Sequence, residues 1–324
     1  MASYNIVVFG GERSGPEVVV EAVKCSIDAH GTPLTDAALE AAKAADAVLL
    51  GAIGGPEWGT GAVRPEQGIL RLHKEMGTYG NLQLCFFPAK ALVEYSPLKA
   101  EVRQGTDFTV VRELTGGIYF GERKRRTTRS RARGPRSSAS RRSRRTSRSR
   151  AARPRPRLWR KVVTEAMKTE FPQLQLHHQL IDSTAMIMVK TPRGLNGVVV
   201  TSNLFGDIIS DGASVIPGSI GLSPSASLGG IPDGKNRCNG IYEPIRGSAP
   251  DISGQGTANP IGTVLSVAMM CRYSLRLPKE ADAIEKAVEI VLDDGVRAKD
   301  FGSESGTKET GDAIVAELVK LLKA

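Results

Sequence analysis

Short apolar blocks alternate with longer amphipathic stretches along most of the chain. Blocks typical of buried β-strands lie at Tyr4–Phe9, Ala47–Leu50, Phe108–Val111, Leu174–Ile181 and Gly197–Val200. Apolar residues at helical spacing mark Arg160–Glu170, Pro260–Tyr273, Ala281–Leu292 and Thr310–Leu322. This alternation of strands and helices predicts an α/β protein with a largely parallel sheet.

Two places near the start of the chain carry residues that are typical of helix starts. Thr35 suits the N-cap position and precedes an Ala-rich helix that reaches about Ala45. Gly10–Pro16 forms a glycine-rich turn after the first strand, and Pro16 suits the first turn of a helix. The turn lacks the GxGxxG spacing of a dinucleotide fingerprint, so it does not by itself indicate a nucleotide site.

The stretch Thr201–Asp211 follows the strand at Gly197–Val200 and begins a helix. Open α/β sheets bind their ligands at such carboxyl ends of strands. Asp207 and Asp211 are four residues apart, so their carboxylates lie on one helix face. Two interpretations follow, a site for Mg2+ or Mn2+ or a solvated acidic face. The pair alone favours the acidic face, because such pairs are common on exposed helices.

Composition indicates a soluble globular protein in a reducing compartment. The chain has 324 residues, 40% hydrophobic and 24% charged. It contains no apolar run long enough for a membrane span and no basic, apolar signal sequence at its start. The four cysteines are far apart and form no CxxC pair, which argues against zinc and a disulfide framework. We therefore expect a cytoplasmic protein without a membrane partner.

The net charge of +10 comes from one segment. Residues Lys124 to Lys161 contain 18 Lys and Arg and no Asp or Glu, while the rest of the chain is acidic. The Arg/Ser-rich segment 124–157 cannot form a core, so we expect it to be disordered. It contains no aromatic residue for base stacking, so a nucleic-acid partner is not expected. A shifted reading frame explains this composition better than a selected basic tether, and the abrupt Lys24–Cys25 junction suggests a similar defect.

Longer motifs resemble the 3-isopropylmalate dehydrogenases, especially fungal ones, within the β-decarboxylating dehydrogenase family. These motifs are Gly51–Thr60, Arg64–Leu70, Arg112–Glu122, Thr201–Asp211, Gly221–Leu228 and Gly247–Ile252. The resemblance implies a two-domain α/β fold with a mixed sheet that is not a Rossmann fold. Residues 1–78 and 218–324 would form the NAD-side domain. Residues 79–217 would form the dimer-forming and metal-site domain, interrupted by the basic segment. The active sites would be shared within a homodimer.

The resemblance also assigns ligands for a cation and for NAD. Asp207 and Asp211 of one subunit and Asp182 of the other would hold Mg2+ or Mn2+, although Asp182 is also a possible helix N-cap. This favours the metal interpretation of the acidic pair. The loop residues expected to bind NAD are Gly247, Ser248, Ala249, Pro250 and Asp251. Asn259 would contact the adenine and Glu66 the nicotinamide end. Arg246 stands where the family has His, and its charge could weaken the NAD preference.

The substrate pocket departs from the family. The resemblance places Arg112 against a malate carboxylate, but His73 and Gln83 occupy two positions where the family has arginine. Ile69 and Leu70 would line the pocket for the alkyl branch. No catalytic residue is predicted, because residues 124–156, where the resemblance places the family's Tyr and Lys, contain no Tyr and no Lys other than Lys124.

The predicted activity is NAD-dependent oxidative decarboxylation of 3-isopropylmalate to 2-oxo-4-methylpentanoate in leucine biosynthesis. The substrate is expected to be a small molecule, a 3-substituted malate. One alternative is a paralogue that acts on another 3-substituted malate. The other is a non-catalytic protein with a nucleic-acid-binding segment.

Overall fold

The computed structural model describes residues 3–11, 14, 31–54, 63–116, 119, 156–233 and 238–323. The chain forms two compact units, one of Met1–Gly121 with Ile181–Ala324 and one of Glu122–Leu180. The predicted turn at Gly10–Pro16 is described only in part, and the Lys24–Cys25 junction lies outside the described residues. So does the predicted disordered segment, except for the backbone of its last two residues.

The larger unit is built on one seven-stranded mixed sheet. Its strands are β1 Ile6–Gly11, β2 Ala47–Ala52, β3 Gly80–Cys85, β4 Phe108–Glu113, β5 Gly197–Thr201, β6 Pro224–Leu228 and β7 Gly240–Pro244. The strand order is β1-β2-β7-β6-β3-β4-β5. The pairs β1–β2, β2–β7 and β4–β5 are parallel, and the other three are antiparallel. The mixed sheet is confirmed, whereas the expectation of a largely parallel one was wrong.

The helices of the described residues follow the predicted helical stretches closely. They are α1 Asp36–Ala44, α2 Pro65–Met76, α3 Ala100–Arg103, α4 Pro156–Glu170, α5 Ile181–Lys190, α6 Asn203–Val215, α7 Ile261–Tyr273, α8 Pro278–Asp293 and α9 Thr307–Lys323. Thr35 caps α1 as predicted, because its side chain accepts a hydrogen bond from the Ala38 amide at 3.2 Å. None of the described helices is both long and apolar enough to cross a membrane.

Helices cover the sheet on both faces around β2, so this strand is apolar throughout. Val48 and Leu50 pack with residues of α1 and α2. Ala47 on the opposite face packs with residues of α7. A strand buried on both faces is expected to carry a continuous apolar run, as the sequence does here.

β4 and β5 carry the functional residues to one edge of the sheet. Phe108 and Val110 point from β4 into a core that includes Ile209 and Ala213 of α6. Side chains alternate along a strand, so Arg112 lies on this same face, two residues further on. In the parallel ladder Arg112 is opposite Thr201, and α6 begins two residues after Thr201. The end of β4 and the start of α6 therefore lie side by side.

Three strand predictions were wrong in part or in full. Tyr4–Phe9 and Gly197–Val200 do contribute to β1 and β5, but these are the two edge strands of the sheet and not buried ones, with Val8 37% and Val198 68% exposed. Leu174–Ile181 forms no strand, and α5 already begins at Ile181. An apolar run gives β propensity, but a strand also requires a neighbouring strand for its backbone groups.

The smaller unit is described over α4 and the segment that follows it. Thr164 of α4 lies 2.7 Å from the Nε2 atom of His178, which ties this segment to the helix. The predicted amphipathic helix at Arg160–Glu170 is confirmed and begins earlier, at Pro156.

Candidate active site

Arg112 is the centre of a polar cluster at the end of β4. Its Nη1 donates to Asp207 Oδ1 at 2.5 Å, and its Nε and Nη2 both donate to Asn203 Oδ1 at 3.0 and 2.8 Å. The Arg112 side chain is only 15% exposed, whereas that of Asp207 is 40% exposed. A planar guanidinium held by several acceptors presents its remaining N–H groups in a fixed direction, which suits recognition of a carboxylate.

Tyr119 approaches the same carboxylate from the turn that follows β4. Its hydroxyl donates to Asp207 Oδ2 at 2.7 Å. The Arg112 guanidinium carbon lies 5.8 Å from the centre of the tyrosine ring. The hydrogen bond to Asp207, followed by partial burial, raises the pKa of Tyr119 above its ordinary value. The phenol is therefore protonated at neutral pH and able to give a proton.

The close contact between β4 and α6 depends on Gly206. A Cβ atom at this position would lie 2.7 Å from Cγ of Arg112 and 3.0 Å from Cγ2 of Thr201. Both distances are shorter than van der Waals contact, so any larger residue would push α6 away from β4. The glycine in the motif Thr201–Asp211 thus allows Asp207 to reach the guanidinium.

Asp207 and Asp211 share one face of α6, as their spacing predicts. Partial burial and then the negative charge of Asp207 raise the pKa of Asp211, while Arg112 opposes the shift. Two carboxylates one helical turn apart, with mutual repulsion, suit a hard divalent cation bound through oxygen. Among the described residues no three His, Cys, Asp or Glu side chains converge on one point. The pair therefore fits such a cation as part of a ligand set.

Asp182 does not join this pair within one chain. It lies in the first turn of α5 and accepts a hydrogen bond from the Ser183 amide at 2.8 Å. It is not the N-cap, because the helix already begins at Ile181. The predicted third ligand thus remains a prediction for a second subunit.

His73 and Gln83, which occupy the two predicted arginine positions, are buried near Arg112 and carry no charge. Both side chains are more than 90% buried. The His73 ring lies 2.8 Å from the Thr78 hydroxyl, and burial together with the charge of Arg112 lowers the pKa of His73 to about 4. Gln83 lies on the same face of β3 as Asn81, the residue opposite Arg112 in the antiparallel ladder. Its buried Oε1 atom has no hydrogen-bond partner. At neutral pH these two residues supply no positive charge.

The buried His73 should make stability depend on pH in a defined window. A histidine with a folded-state pKa near 4 binds fewer protons than an unfolded histidine with a pKa of about 6.5. The free energy of unfolding should therefore fall as pH is lowered from about 6.5 to 4, by about 3 kcal/mol in total. Urea unfolding at several pH values would measure this slope. In His73→Gln the slope should be smaller, whereas in the control His177→Gln, at an exposed position, it should be unchanged. Parallel slopes in His73→Gln and the unsubstituted protein would contradict the assignment.

The loop Gly247–Asp251 follows β7 and is tied to the turn after β1. Ser248 O accepts from the backbone amide and hydroxyl of Ser14 at 3.0 and 2.9 Å, and Arg246 Nη1 donates to the same hydroxyl. Ala249 has a φ of 43°, in the left-handed region, and Asp251 lies in the short 3-10 turn Pro250–Ile252. Arg246 is thus buried beneath the loop and bonded to protein atoms.

The other residues predicted to bind ligands occupy two places. Asn259 is buried, with its amide nitrogen donating to Asp300 and its oxygen accepting from the Ile261 amide. Glu66 is an exposed residue of the first turn of α2, and Ile69 and Leu70 follow it on the same helix, both half-buried. Ile69 packs partly into the core beside β2. Its apolar side chain therefore also contributes to core packing.

Comparison with known proteins identifies the family. The family model for isocitrate/isopropylmalate dehydrogenase matches residues 19–153 and 151–314. The chain is 60% identical over 368 residues to 3-isopropylmalate dehydrogenase of Sordaria macrospora and 58% identical over 363 residues to 3-isopropylmalate dehydrogenase A of Aspergillus niger, with full coverage of both chains in each case. The chain belongs to the isocitrate/isopropylmalate dehydrogenase family. Both alignments are longer than this chain, so these relatives contain residues that it lacks.

Solved structures agree with this family assignment. A β-decarboxylating dehydrogenase from Thermococcus kodakarensis is 28% identical, with a TM-score of 0.70 and coverage of 99% of this chain and 98% of that one. An isocitrate dehydrogenase from Methylococcus capsulatus, 23% identical, has a TM-score of 0.72 over 98% of this chain and 99% of that one, which shows the shared fold.

Sequence reasoning did not select two residues of this family member's site, Tyr119 and Asn203. Tyr119 lies within the motif Arg112–Glu122, whereas the resemblance led to the expectation of the family's tyrosine in residues 124–156. Asn203 lies within Thr201–Asp211, where the acidic pair alone was taken as functional. The signal available for both was their position within motifs that begin at the carboxyl end of a predicted strand.

Proposed function

We propose that this protein is an NAD-dependent 3-isopropylmalate dehydrogenase, which forms 2-oxo-4-methylpentanoate and CO2 in leucine biosynthesis. The observation that carries the proposal is the meeting of Arg112 and Tyr119 at the Asp207 carboxylate. In the proposal, an anion-binding group, a proton donor and a cation ligand would act together at this point. The full-length similarity to fungal enzymes of that name supports the same substrate.

Each residue of the cluster has a role in this reaction. Asp207 and Asp211 would hold Mg2+ or Mn2+, which when bound polarises the substrate's C2 oxygen and adjacent carboxylate. Arg112 binds a malate carboxylate through the N–H groups that face away from Asn203. Tyr119 is protonated at neutral pH and supplies the proton that C3 needs after CO2 has left. The proton of the C2 hydroxyl requires a separate base.

The role of Tyr119 predicts a specific loss in Tyr119→Phe. The substitution keeps the ring beside Arg112 and removes only the hydroxyl that donates to Asp207. Loss of a positioned proton donor should lower kcat by about 100-fold or more, with a small change in KM. Steady-state kinetics would measure both constants, with Tyr79→Phe at an exposed position as the matched control. An unchanged kcat in Tyr119→Phe would remove the tyrosine from the mechanism.

The NAD site belongs to the loop after β7 in this proposal. Asp251 would accept from the 2'-hydroxyl of the adenine-side ribose and repel a 2'-phosphate, so NAD would be preferred over NADP. Gly247, Ser248, Ala249 and Pro250 would surround the adenosine, and Glu66 would contact the nicotinamide end. Arg246 is oriented towards Ser14 and is buried, which supports an undiminished preference for NAD. Asn259 would lie beside the adenine, with its amide bonded to Asp300 and to the backbone of Ile261.

We further propose a homodimer with shared active sites. A large apolar surface on α5 and α6 supports this, because Met186 is 69%, Ile208 59% and Val215 50% exposed. Exposed apolar patches of this kind commonly mark protein interfaces. Ile208 and Val215 flank Asp211 on α6, so a second subunit at this surface would be close to the metal ligands and could supply Asp182. The predicted division into a domain of residues 1–78 and 218–324 and one of 79–217 is part of the same proposal.

The proposed setting is the cytoplasm, with a small-molecule substrate and no nucleic-acid partner. The described cysteines Cys85, Cys238 and Cys271 are buried free thiols, as expected in a reducing compartment.

The direct test is an assay of purified full-length protein with NAD, Mg2+ and 3-isopropylmalate. NADH should form together with 2-oxo-4-methylpentanoate, and formation should stop when the cation is chelated. Malate without an alkyl branch at C3 is the comparison substrate. It should react more slowly, because the half-buried Ile69 and Leu70 favour an alkyl branch. Absence of NADH with 3-isopropylmalate at every concentration would refute the proposed activity.

A further inference from the structure

Asn203, the first residue of α6, uses all four of its side-chain hydrogen-bonding positions. Its Oδ1 accepts from Nε and Nη2 of Arg112 at 3.0 and 2.8 Å. Its Nδ2 donates to the carbonyl oxygens of Leu114 at 3.1 Å and Gly116 at 3.0 Å. An amide has two acceptor positions and two N–H donors, so the group is fully satisfied. The residue is only 1% exposed.

The two halves of this amide hold two different parts of the site. The oxygen fixes the guanidinium fork of Arg112, which leaves Nη1 directed at Asp207. The nitrogen fixes the turn after β4, which leads within three residues to Tyr119. Arg112 and the turn are therefore bonded to the same buried amide, in addition to the contacts that Arg112 and Tyr119 make with Asp207. Asn203 thus links the anion-binding group to the proton donor.

We propose that Asn203 is a positioning residue that sets Arg112 and Tyr119 relative to Asp207. It acts through these residues and need not touch the substrate. The expected changes in kcat and KM rest on the proposed function. The positions of Arg112 and Tyr119 can be tested whether or not the protein is active.

The chemistry of the position is specific to Asn. Aspartate would keep an acceptor for Arg112 but would place a second oxygen against the two carbonyls of Leu114 and Gly116, where a donor is needed. Alanine would lose both halves and leave buried polar groups unpaired, which is costly. The two substitutions therefore separate the effect on the turn from the effect on the guanidinium.

Kinetics of Asn203→Asp and Asn203→Ala test this separation. In Asn203→Asp, kcat should fall about 10- to 100-fold through displacement of Tyr119, while KM should change by less than about threefold. In Asn203→Ala, kcat should fall and KM should also rise, by about tenfold or more. Asn196→Asp is the matched control. Like Asn203, Asn196 uses both halves of its amide, since it accepts from the backbone amide of Asp107 and donates to the carbonyl of Gly105, but it lies away from the cluster.

A second readout does not require activity. Protein labelled with 3-fluorotyrosine should give a 19F resonance for Tyr119, assigned by its loss in Tyr119→Phe. In Asn203→Asp this resonance should move towards that of an exposed tyrosine, and in Asn196→Asp it should not. If the unsubstituted protein formed no NADH, the proposed function would fail while this comparison would still decide the role of Asn203.

The proposal is overturned if the Tyr119 resonance is the same in Asn203→Asp and the unsubstituted protein. It is also overturned if KM rises by the same factor in Asn203→Asp as in Asn203→Ala and kcat falls by the same factor in both variants. Should Asn203→Asp not fold, Asn203→Ser keeps a small polar side chain and enters the same 19F comparison in its place.

Discussion

Replacing Asp207 with Asn should lower kcat/KM by about three orders of magnitude. The substitution removes the negative charge that would bind the cation and that pairs with Arg112. It also exchanges one carboxylate oxygen for an amide, which weakens the contacts to Arg112 or Tyr119. Lewis-acid stabilisation by a metal ion is worth several kcal/mol, and about 4 kcal/mol corresponds to about 1000-fold in rate. Asn keeps the size and shape of the side chain, so the effect should be chemical and not steric.

The matched control for this prediction is Asp282→Asn. Asp282 also pairs with an arginine, because Arg272 Nη1 donates to it at 2.8 Å, but its side chain is 68% exposed on α8. Exposed ion pairs contribute about 1 kcal/mol or less, so activity and stability should be nearly unchanged. Steady-state kinetics at saturating Mg2+ and again over a Mg2+ titration would compare the variants. If Asp207→Asn retained more than about a tenth of kcat/KM at all Mg2+ concentrations, Asp207 could not be a metal ligand in the reaction.

The second large effect is expected for Arg112→Gln. His73 is uncharged at neutral pH and Gln83 is neutral, so of the three residues at the predicted arginine positions only Arg112 carries a charge that can pair with a malate carboxylate. Its loss should raise KM about 100-fold, the equivalent of about 3 kcal/mol for a charge-assisted contact in a partly buried site. Arg112→Lys should recover little, because an ammonium cannot reproduce the two bonds to Asn203.

A binding measurement separates the substrate role of Arg112 from an effect on the cation. Arg112 neutralises part of the Asp207 charge, so Arg112→Gln should bind Mn2+ at least as tightly as the unsubstituted protein. Arg272→Gln, at an arginine with two exposed carboxylate partners, should change neither KM nor Mn2+ affinity. An unchanged KM in Arg112→Gln would contradict the assignment of Arg112 to the substrate carboxylate.

The fold could be predicted from the sequence where local pattern determines the structure. Thr35, the Ala-rich α1 and the apolar β2 are each specified by neighbouring residues, and all were found as expected. Val198 and Val200 show the limit of this reasoning. An apolar run predicts a strand equally well in the centre and at the edge of a sheet, because strand order depends on contacts between distant segments. The run Leu174–Ile181 failed for the same reason, since no strand pairs with it in the described residues.

The candidate site divides in the same way. The spacing of Asp207 and Asp211 follows from helix geometry, and it could be predicted without a structure. The contact between Asp207 and Arg112 joins residues 95 positions apart and depends on the pairing of β4 with β5. The part played by Tyr119 and Asn203 becomes visible only when that pairing is known. Hydrogen-bond partners across a sheet edge leave no periodic signal in the sequence.

The central claim is that Asp207 is the point where the cation, Arg112 and Tyr119 meet, and Mn2+ binding tests it most directly. Electron paramagnetic resonance of free Mn2+ can be recorded during titration of the full-length protein, with and without 3-isopropylmalate. The unsubstituted protein should bind Mn2+ more tightly when the substrate is present, and Asp207→Asn should lose both the binding and the effect of the substrate. Equal Mn2+ binding by Asp207→Asn and the unsubstituted protein would contradict the claim.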